Sequence, residues 1–164
     1  IGVLLILACG GLGFLSHRYS SSAVIEEVET ALEMQALKAG EYIESQFRIH
    51  LSVLEAIAAR PEIKSMDWEL QRPVLEAEAQ RLSGFLAIGI IDRNGIAKYS
   101  DGSTGNLADR DYVIRALNGQ ASVSDVIVSR ITNGTILMYA VPIVDNNRVV
   151  GAVLARRNAA RGTN

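Results

Sequence analysis

The sequence of 164 residues contains few of the side chains on which catalytic and metal sites usually depend. It has one cysteine, Cys9, and two histidines, His17 and His50, so neither an internal disulfide nor a zinc-binding cluster is predicted. No glycine-rich phosphate loop precedes a helix, and no pattern brings Ser, His and Asp together as a catalytic triad. We therefore expect no enzyme activity, no cofactor and no metal in this chain.

Charge of either sign is also sparse. Charged residues make up 21% of the sequence, and the formal net charge is only −2. The basic residues are scattered rather than clustered with aromatic residues, which argues against nucleic-acid binding. The length allows one globular domain with appendages, but not two full domains.

An uncharged apolar run, IGVLLILACGGLGFL, occupies residues 1–15. Its length matches the apolar core of a signal peptide, about 7–15 residues, whereas a spanning helix needs about twenty. A truncated transmembrane segment, a cleaved signal and a lipoprotein site acylated at Cys9 all remain open. Each of them places Ser16 and the following residues outside the cytoplasm. A buried helix of a soluble domain is disfavoured, because the run has no polar face and contains four glycines.

Residues 16–60 are predicted to form a long helix. Between Ser20 and Ala59 there is no proline and only one glycine, Gly40, and apolar residues recur at steps of three and four. About forty helical residues would extend over about 60 Å. Pro61 marks the end, because the residue before a proline avoids the helical region.

Two interpretations of this helix are open. It is either an ordinary core helix or a stalk that rises from the membrane, pairs with a second copy and packs on a sheet at its upper end. An apolar stripe of this length needs a partner, which favours the stalk and predicts a homodimer.

Residues 61–157 are predicted to form an α+β domain, with the long N-terminal helix packed on a five-stranded antiparallel sheet. A helix from Asp67 to Leu82 precedes the strands, with Asp67 as its N-cap. A second, short helix from Arg110 to Leu117 would be capped by Asp109. Hairpin turns join most strands, which favours an antiparallel sheet covered on one face. The predicted strands are Phe85–Asp92, Ile96–Ser100, Ser122–Ser129, Thr135–Val144 and Arg148–Ala155, followed by a tail at residues 158–164.

The cluster Asp109-Arg110-Asp111-Tyr112 is the sharpest candidate for a binding site. Arginine presents a planar fork of donors for a carboxylate, and tyrosine adds an aromatic wall with a polar tip. Together they would suit a small carboxylate-bearing ligand. The alternative is that Arg110 pairs only with Asp109, Asp111 or Asp125 at the surface.

Three segments in order resemble a known family. They are IIDRNGIAKYSDG, LADRDYVIRALNGQASVSDVIVSRITNG and ILMYAVPIVDNNRVVGAVLARR. Their order and spacing resemble the membrane-distal module of double Cache domains, the extracytoplasmic PAS-like sensors of bacterial chemoreceptors, histidine kinases and diguanylate cyclases. The likeness extends from about Ser20 to Arg157.

This resemblance implies a ligand site between the sheet and the loop and helix near Arg110. In amino-acid-binding members an arginine and nearby aromatics hold the ligand carboxylate, which matches Arg110 and Tyr112. The second aromatic is replaced by Val113, and the aspartate that holds the amine falls near Ala155, so the amino-acid motif is incomplete. Polar or aromatic residues on the relevant strands and loop are further pocket candidates: Tyr99, Asp125, Ser129 and Tyr139.

The resulting hypothesis is a homodimeric sensor for a small molecule, attached to the inner (cytoplasmic) membrane with its sensor module periplasmic or extracellular. Any output activity would belong to a part outside this sequence. The alternative is a truncated, non-catalytic interaction module that pairs with a partner receptor through the long helix.

Overall fold

A computed structural model describes residues 37–38, 40–129 and 134–159. The chain divides into two units, Ile1–Ser45 and Gln46–Asn164. The predicted membrane or signal segment at residues 1–15 lies outside the described residues. Within the described residues, no helix is both long and apolar enough to cross a membrane.

The long helix, α1, is described over residues 37–38 and 40–58 and ends just before Pro61, as predicted. In the second unit its apolar side chains are buried, with Leu54, Ile57 and Ala58 in the core. In the first unit the described apolar side chains Leu37, Tyr42 and Ile43 are exposed. The dimeric stalk stays a prediction.

Two helices follow, α2 (Pro61–Lys64) and α3 (Trp68–Arg81). The side chain of Asp67 accepts a hydrogen bond from the backbone N–H of Glu69 at 3.0 Å, which confirms the predicted N-cap. The buried Glu78 of α3 forms ion pairs of 2.6 Å with both Arg60 and Arg81. Because Arg60 lies just beyond α1, this pair joins α3 to the end of the long helix.

All strand pairs of the sheet are antiparallel, in the order β3-β2-β1-β7-β6-β4, with β5 also paired to β6. The α+β class is confirmed, but the described part of the chain forms a sheet of seven strands rather than the five predicted. The last strand also reaches Asn158 rather than ending at Ala155. The strands are β1 (Ala87–Asp92), β2 (Ile96–Tyr99), β3 (Thr104–Asn106), β4 (Ser122–Val123), β5 (Ile127–Val128), β6 (Thr135–Asp145) and β7 (Arg148–Asn158).

The two extra strands have local causes. The predicted strand Ser122–Ser129 is interrupted at Ser124, whose hydroxyl accepts a hydrogen bond from the backbone N–H of Met138 at 3.0 Å. The side chain thus replaces a backbone partner, and β4 and β5 remain as short pieces on the same edge of β6. The strand β3 has only three residues in a polar, glycine-containing loop, so no alternation of apolar residues marks it in the sequence.

Two hairpin turns agree with the sequence. Gly95 has a φ of +83°, and the side chain of Asp92 accepts hydrogen bonds from the backbone N–H groups of Asn94 and Ile96, both at 2.9 Å. Between β6 and β7, Asn146 and Asn147 have φ values of 46° and 61°. Two successive residues with positive φ form the tight turn that matches the twist of a hairpin, and asparagine tolerates it well.

Helices lie on both faces of the sheet, whereas the sequence predicted cover on one face. One face packs against α1, α2 and α3. The other packs against α4 (Asp111–Leu117), whose Tyr112, Val113 and Ala116 are buried. The predicted cap at Asp109 was wrong, because the helix begins one residue later and Arg110 occupies the N-cap position.

Candidate functional site

A small cavity lies on the α4 face of the sheet, beneath the segment at residues 100–110, which includes β3. Its volume is about 10 Å³, which is room for about one water molecule. The pocket is therefore nearly filled by its own side chains. The lining residues come from β2, the loop, α4, the β5 region, β6 and β7: Tyr99, Leu107, Arg110, Tyr112, Ile127, Ser129, Ile136, Met138 and Arg156.

Four of the six residues predicted from the sequence line this cavity. They are Arg110, Tyr112, Tyr99 and Ser129. Tyr112 is held in place because the hydroxyl of Ser122 on β4 donates to its backbone carbonyl at 3.1 Å. The structure therefore brings together residues that are far apart in the chain.

The other two candidates lie elsewhere. Tyr139 is on the opposite face of the sheet, where it stacks on His50 with ring centroids 5.4 Å apart and meets Phe47 and Phe85 edge-on. Successive residues of a strand face opposite sides, so the pocket position on β6 belongs to Met138 instead. Asp125 is exposed and is not among the residues that line the cavity.

Arg156 is the pocket residue that the sequence reasoning missed. It lies near the end of β7 beside Ala87 and Met138 of the neighbouring strands, and only 2% of it is exposed. The amine-binding position was expected near Ala155, but Ala155 packs in the core on the opposite face. On the pocket face the last strand therefore presents a cation.

Two contacts hold the side chain of Arg156 in the pocket. Its Nη2 donates to Oδ2 of Asp101, and its guanidinium lies 4.9 Å from the centre of the Tyr99 ring. The Tyr99 ring in turn lies against Gly89, where an added Cβ would come within 2.6 Å of the ring. Glycine at this position makes room for the aromatic wall under the arginine.

The two arginines of the pocket have buried donors that the described residues do not satisfy. Nε of Arg110, and Nε and Nη1 of Arg156, are buried and have no hydrogen-bond partner among the described residues. Leaving a buried donor unpaired costs about 1–3 kcal/mol, and more when the group is charged. Two guanidinium groups that line one cavity and have unused donors have the chemistry to bind an anion.

The acidic residues near the cavity are already engaged. Asp111, one of the three residues considered as a partner for Arg110, pairs with Arg115 at 2.5 Å. Burial alone would raise the pKa of Asp101, but hydrogen bonds from Ser103 and the charge of Arg156 more than offset it. The pKa of Asp101 is consequently below its ordinary value, so Asp101 is ionised at neutral pH and neutralises one of the two arginines.

Within the described residues, no group of three or more His, Cys, Asp and Glu side chains is placed to hold a metal ion. Burial raises the pKa of Tyr99 above its ordinary value, so its hydroxyl stays protonated at neutral pH. The site thus offers hydrogen-bond donors and aromatic walls, an arrangement suited to holding an anion.

Chemoreceptor sensory domains have a similar fold. The sensory domain of the Campylobacter jejuni chemoreceptor Tlp3 with isoleucine bound is 14% identical, with a TM-score of 0.61 over 72% of this chain and 54% of that one. The ligand-binding domain of the Pseudomonas fluorescens chemoreceptor CtaA in complex with L-serine is 17% identical, with a TM-score of 0.61 over 71% and 52%. Its complex with L-isoleucine has a TM-score of 0.62 at 17% identity, over 72% and 51%.

The chain thus spans about half the length of these sensory domains. The resemblance to Cache-like sensor modules that the sequence suggested is confirmed at the level of the fold. No family model matches the sequence. A citrate (Re)-synthase from Syntrophus aciditrophicus is 28% identical over 111 residues, which is 59% of this chain but only 18% of that protein.

Proposed function

We propose that this chain is the ligand-sensing module of a membrane-anchored receptor, located outside the cytoplasm, and that its pocket binds a small carboxylate-bearing ligand without transforming it. The main support for this proposal is that Arg110 and Arg156 have buried guanidinium N–H groups without a hydrogen-bond partner among the described residues. A carboxylate would satisfy these donors with charge-assisted hydrogen bonds. The fold shared with chemoreceptor sensory domains supports a sensing role.

The pocket must open to admit such a ligand, because its present volume holds about one water molecule. We expect the segment at residues 100–110, which includes the short strand β3, to open, because it carries the buried Leu107 over the cavity and the partly exposed Asp101 at its edge. A ligand that binds only when this segment is displaced would shift the equilibrium toward the open conformation. The size of the shift is set by the difference in the ligand's affinity for the open and closed conformations.

Strand β7 offers a route from the pocket to the long helix. Arg156 faces the pocket, and the next residue, Arg157, faces α1 and donates to Nε2 of His50. Nδ1 of His50 donates to the backbone carbonyl of Gln46 at 2.7 Å. A change in the position of β7 near Arg156 would therefore reach α1 directly, which is how the module would pass its signal.

A second candidate function is pairing with another receptor chain through the long helix. It is favoured by the exposed apolar residues Leu37, Tyr42 and Ile43 in the first unit. The two functions are compatible, because a dimeric stalk would carry the signal of a ligand-binding module. A homodimer through this helix remains a proposal.

The test is a melting-temperature screen of small carboxylates against the full chain in detergent, with Arg110→Gln as the test variant. Arg115→Gln is the matched control, since it removes an exposed arginine from the same helix. We expect at least one carboxylate to stabilise the wild type and the control, and to lose that effect in Arg110→Gln. Equal stabilisation of all three proteins would refute the assignment of the site.

A further inference from the structure

We infer that the ligand is a small organic acid with two carboxylates and no ammonium group, and that one of its carboxylates takes the place of Asp101 at Arg156. This inference rests on the proposed function and specifies the chemistry of the same pocket. It follows from the charge of the cavity, from the position of Asp101 and from the distribution of unpartnered donors.

The charge of the lining argues against an ammonium group on the ligand. None of the described residues that line the cavity is acidic, and two of them, Arg110 and Arg156, are cations. An ammonium ion needs acceptors, and a like charge in a buried site disfavours it. The pocket face of β7, where the resemblance places an acidic partner for an amine, presents Arg156 instead. An amino acid would thus bring its positive group toward a guanidinium.

Asp101 has the features of an internal substitute for a ligand carboxylate. Its Oδ2 accepts from the almost fully buried Arg156, whereas 39% of its own side chain is exposed. Its Oδ1 accepts from the backbone N–H of Ser103 at 2.9 Å. Asp101 therefore reaches the arginine from the solvent edge, and it returns to water at little cost when the loop moves. Exchange of one carboxylate for another leaves the buried charge unchanged.

A single carboxylate would leave one arginine uncompensated. After the exchange, two guanidinium groups would share one negative charge, and one set of unpartnered donors would remain. A second carboxylate balances the charge of the other arginine and accepts hydrogen bonds from its unpartnered donors. Arg110 is only partly buried, but its Nε is buried without a partner among the described residues, and pairing this donor with a carboxylate removes the cost of leaving it unsatisfied.

The test is a calorimetric titration of the full chain in detergent with three matched series. Malonate, succinate and glutarate are compared with the monocarboxylates of equal carbon number, and with aminomalonate, aspartate and glutamate. We expect at least one diacid to bind about tenfold or more tightly than both of its counterparts, because each mismatch leaves a buried charge unpaired.

Asp101→Asn tests the exchange itself. It removes the internal competitor, so the preferred diacid should bind several-fold more tightly than to the wild type. Glu76→Gln is the control, because it removes one negative charge from an exposed pair on α3, on the other side of the sheet. Equal affinity in the Asp101→Asn and Glu76→Gln variants would overturn the exchange.

The outcomes separate this inference from the proposed function. If an amino acid or a monocarboxylate binds at least as tightly as the matching diacid, the ligand class is wrong, but the carboxylate-sensing function stands. If no compound of any series binds, the proposed function itself is overturned.

Discussion

Replacement of Arg156 by methionine would separate the stability of the fold from the chemistry of the pocket. Methionine keeps a long unbranched side chain of similar reach while it removes the charge and all donors of the guanidinium. In the wild type, Nε and Nη1 of Arg156 are buried without a partner among the described residues. We expect the variant to be more stable than the wild type in the absence of ligand, and unable to bind carboxylates.

The magnitude follows from the contacts of the side chain. Each unpartnered buried donor costs about 1–3 kcal/mol. Against this, the variant loses the ion pair with Asp101, a residue whose side chain is 39% exposed, so the pair contributes about 0–1 kcal/mol. It also loses the cation–π contact with Tyr99, which contributes about 1–2 kcal/mol. The two donors together cost about 2–6 kcal/mol and the lost contacts contribute about 1–3 kcal/mol, so the expected net gain in the free energy of unfolding is about 2 kcal/mol.

Urea denaturation followed by fluorescence measures this change, because Trp68 is the only tryptophan and packs against the core. The control Arg115→Met removes an exposed arginine, and its free energy of unfolding should stay within about 0.5 kcal/mol of the wild type. A loss of more than about 1 kcal/mol in Arg156→Met would refute the reasoning, since it would mean that the buried guanidinium is fully satisfied without a ligand.

Two further predictions concern the sheet and the long helix. Gly89→Ala should lower the free energy of unfolding, measured by urea denaturation, by about 1–3 kcal/mol, because the added Cβ would lie 2.6 Å from the Tyr99 ring. The control is Gly84→Ala, whose added Cβ would meet nothing within 4 Å, and it should leave the urea denaturation curve unchanged. Burial, opposed by a backbone hydrogen bond and aided by the charge of Arg157, lowers the pKa of His50 below 6.5. At pH values between that lowered pKa and 6.5, His50 binds a proton more readily in the unfolded chain than in the folded one. The free energy of unfolding should therefore fall as the pH drops through this range. Melts at a series of pH values should show that His50→Gln lacks this part of the pH dependence. An identical pH dependence in the wild type and in His50→Gln would contradict the prediction.

The features that the sequence predicted correctly depend on residues close together in the chain. Asn94-Gly95, the capping Asp67 and the period of α1 each act within a few residues, because a turn, a cap or a helical turn is closed by near neighbours. These features predicted the α+β class and most strands. The likeness of Arg110 and Tyr112 to a family pattern also placed them at the same cavity, because both lie at the start of one short helix.

The sequence by itself determined the α+β class, most of the helices and strands, two hairpin turns and four of the residues that line the pocket. The tertiary structure alone decided which side chains of the central strands face that pocket. Strands β6 and β7 are apolar along most of their length because both faces of the sheet are covered, so alternation does not indicate which residue faces which side. A shift of one residue in register would have placed Tyr139 in the pocket and Met138 against α1. The same register turned Arg156 into the cavity and Arg157 toward His50, although the two arginines are adjacent and chemically identical.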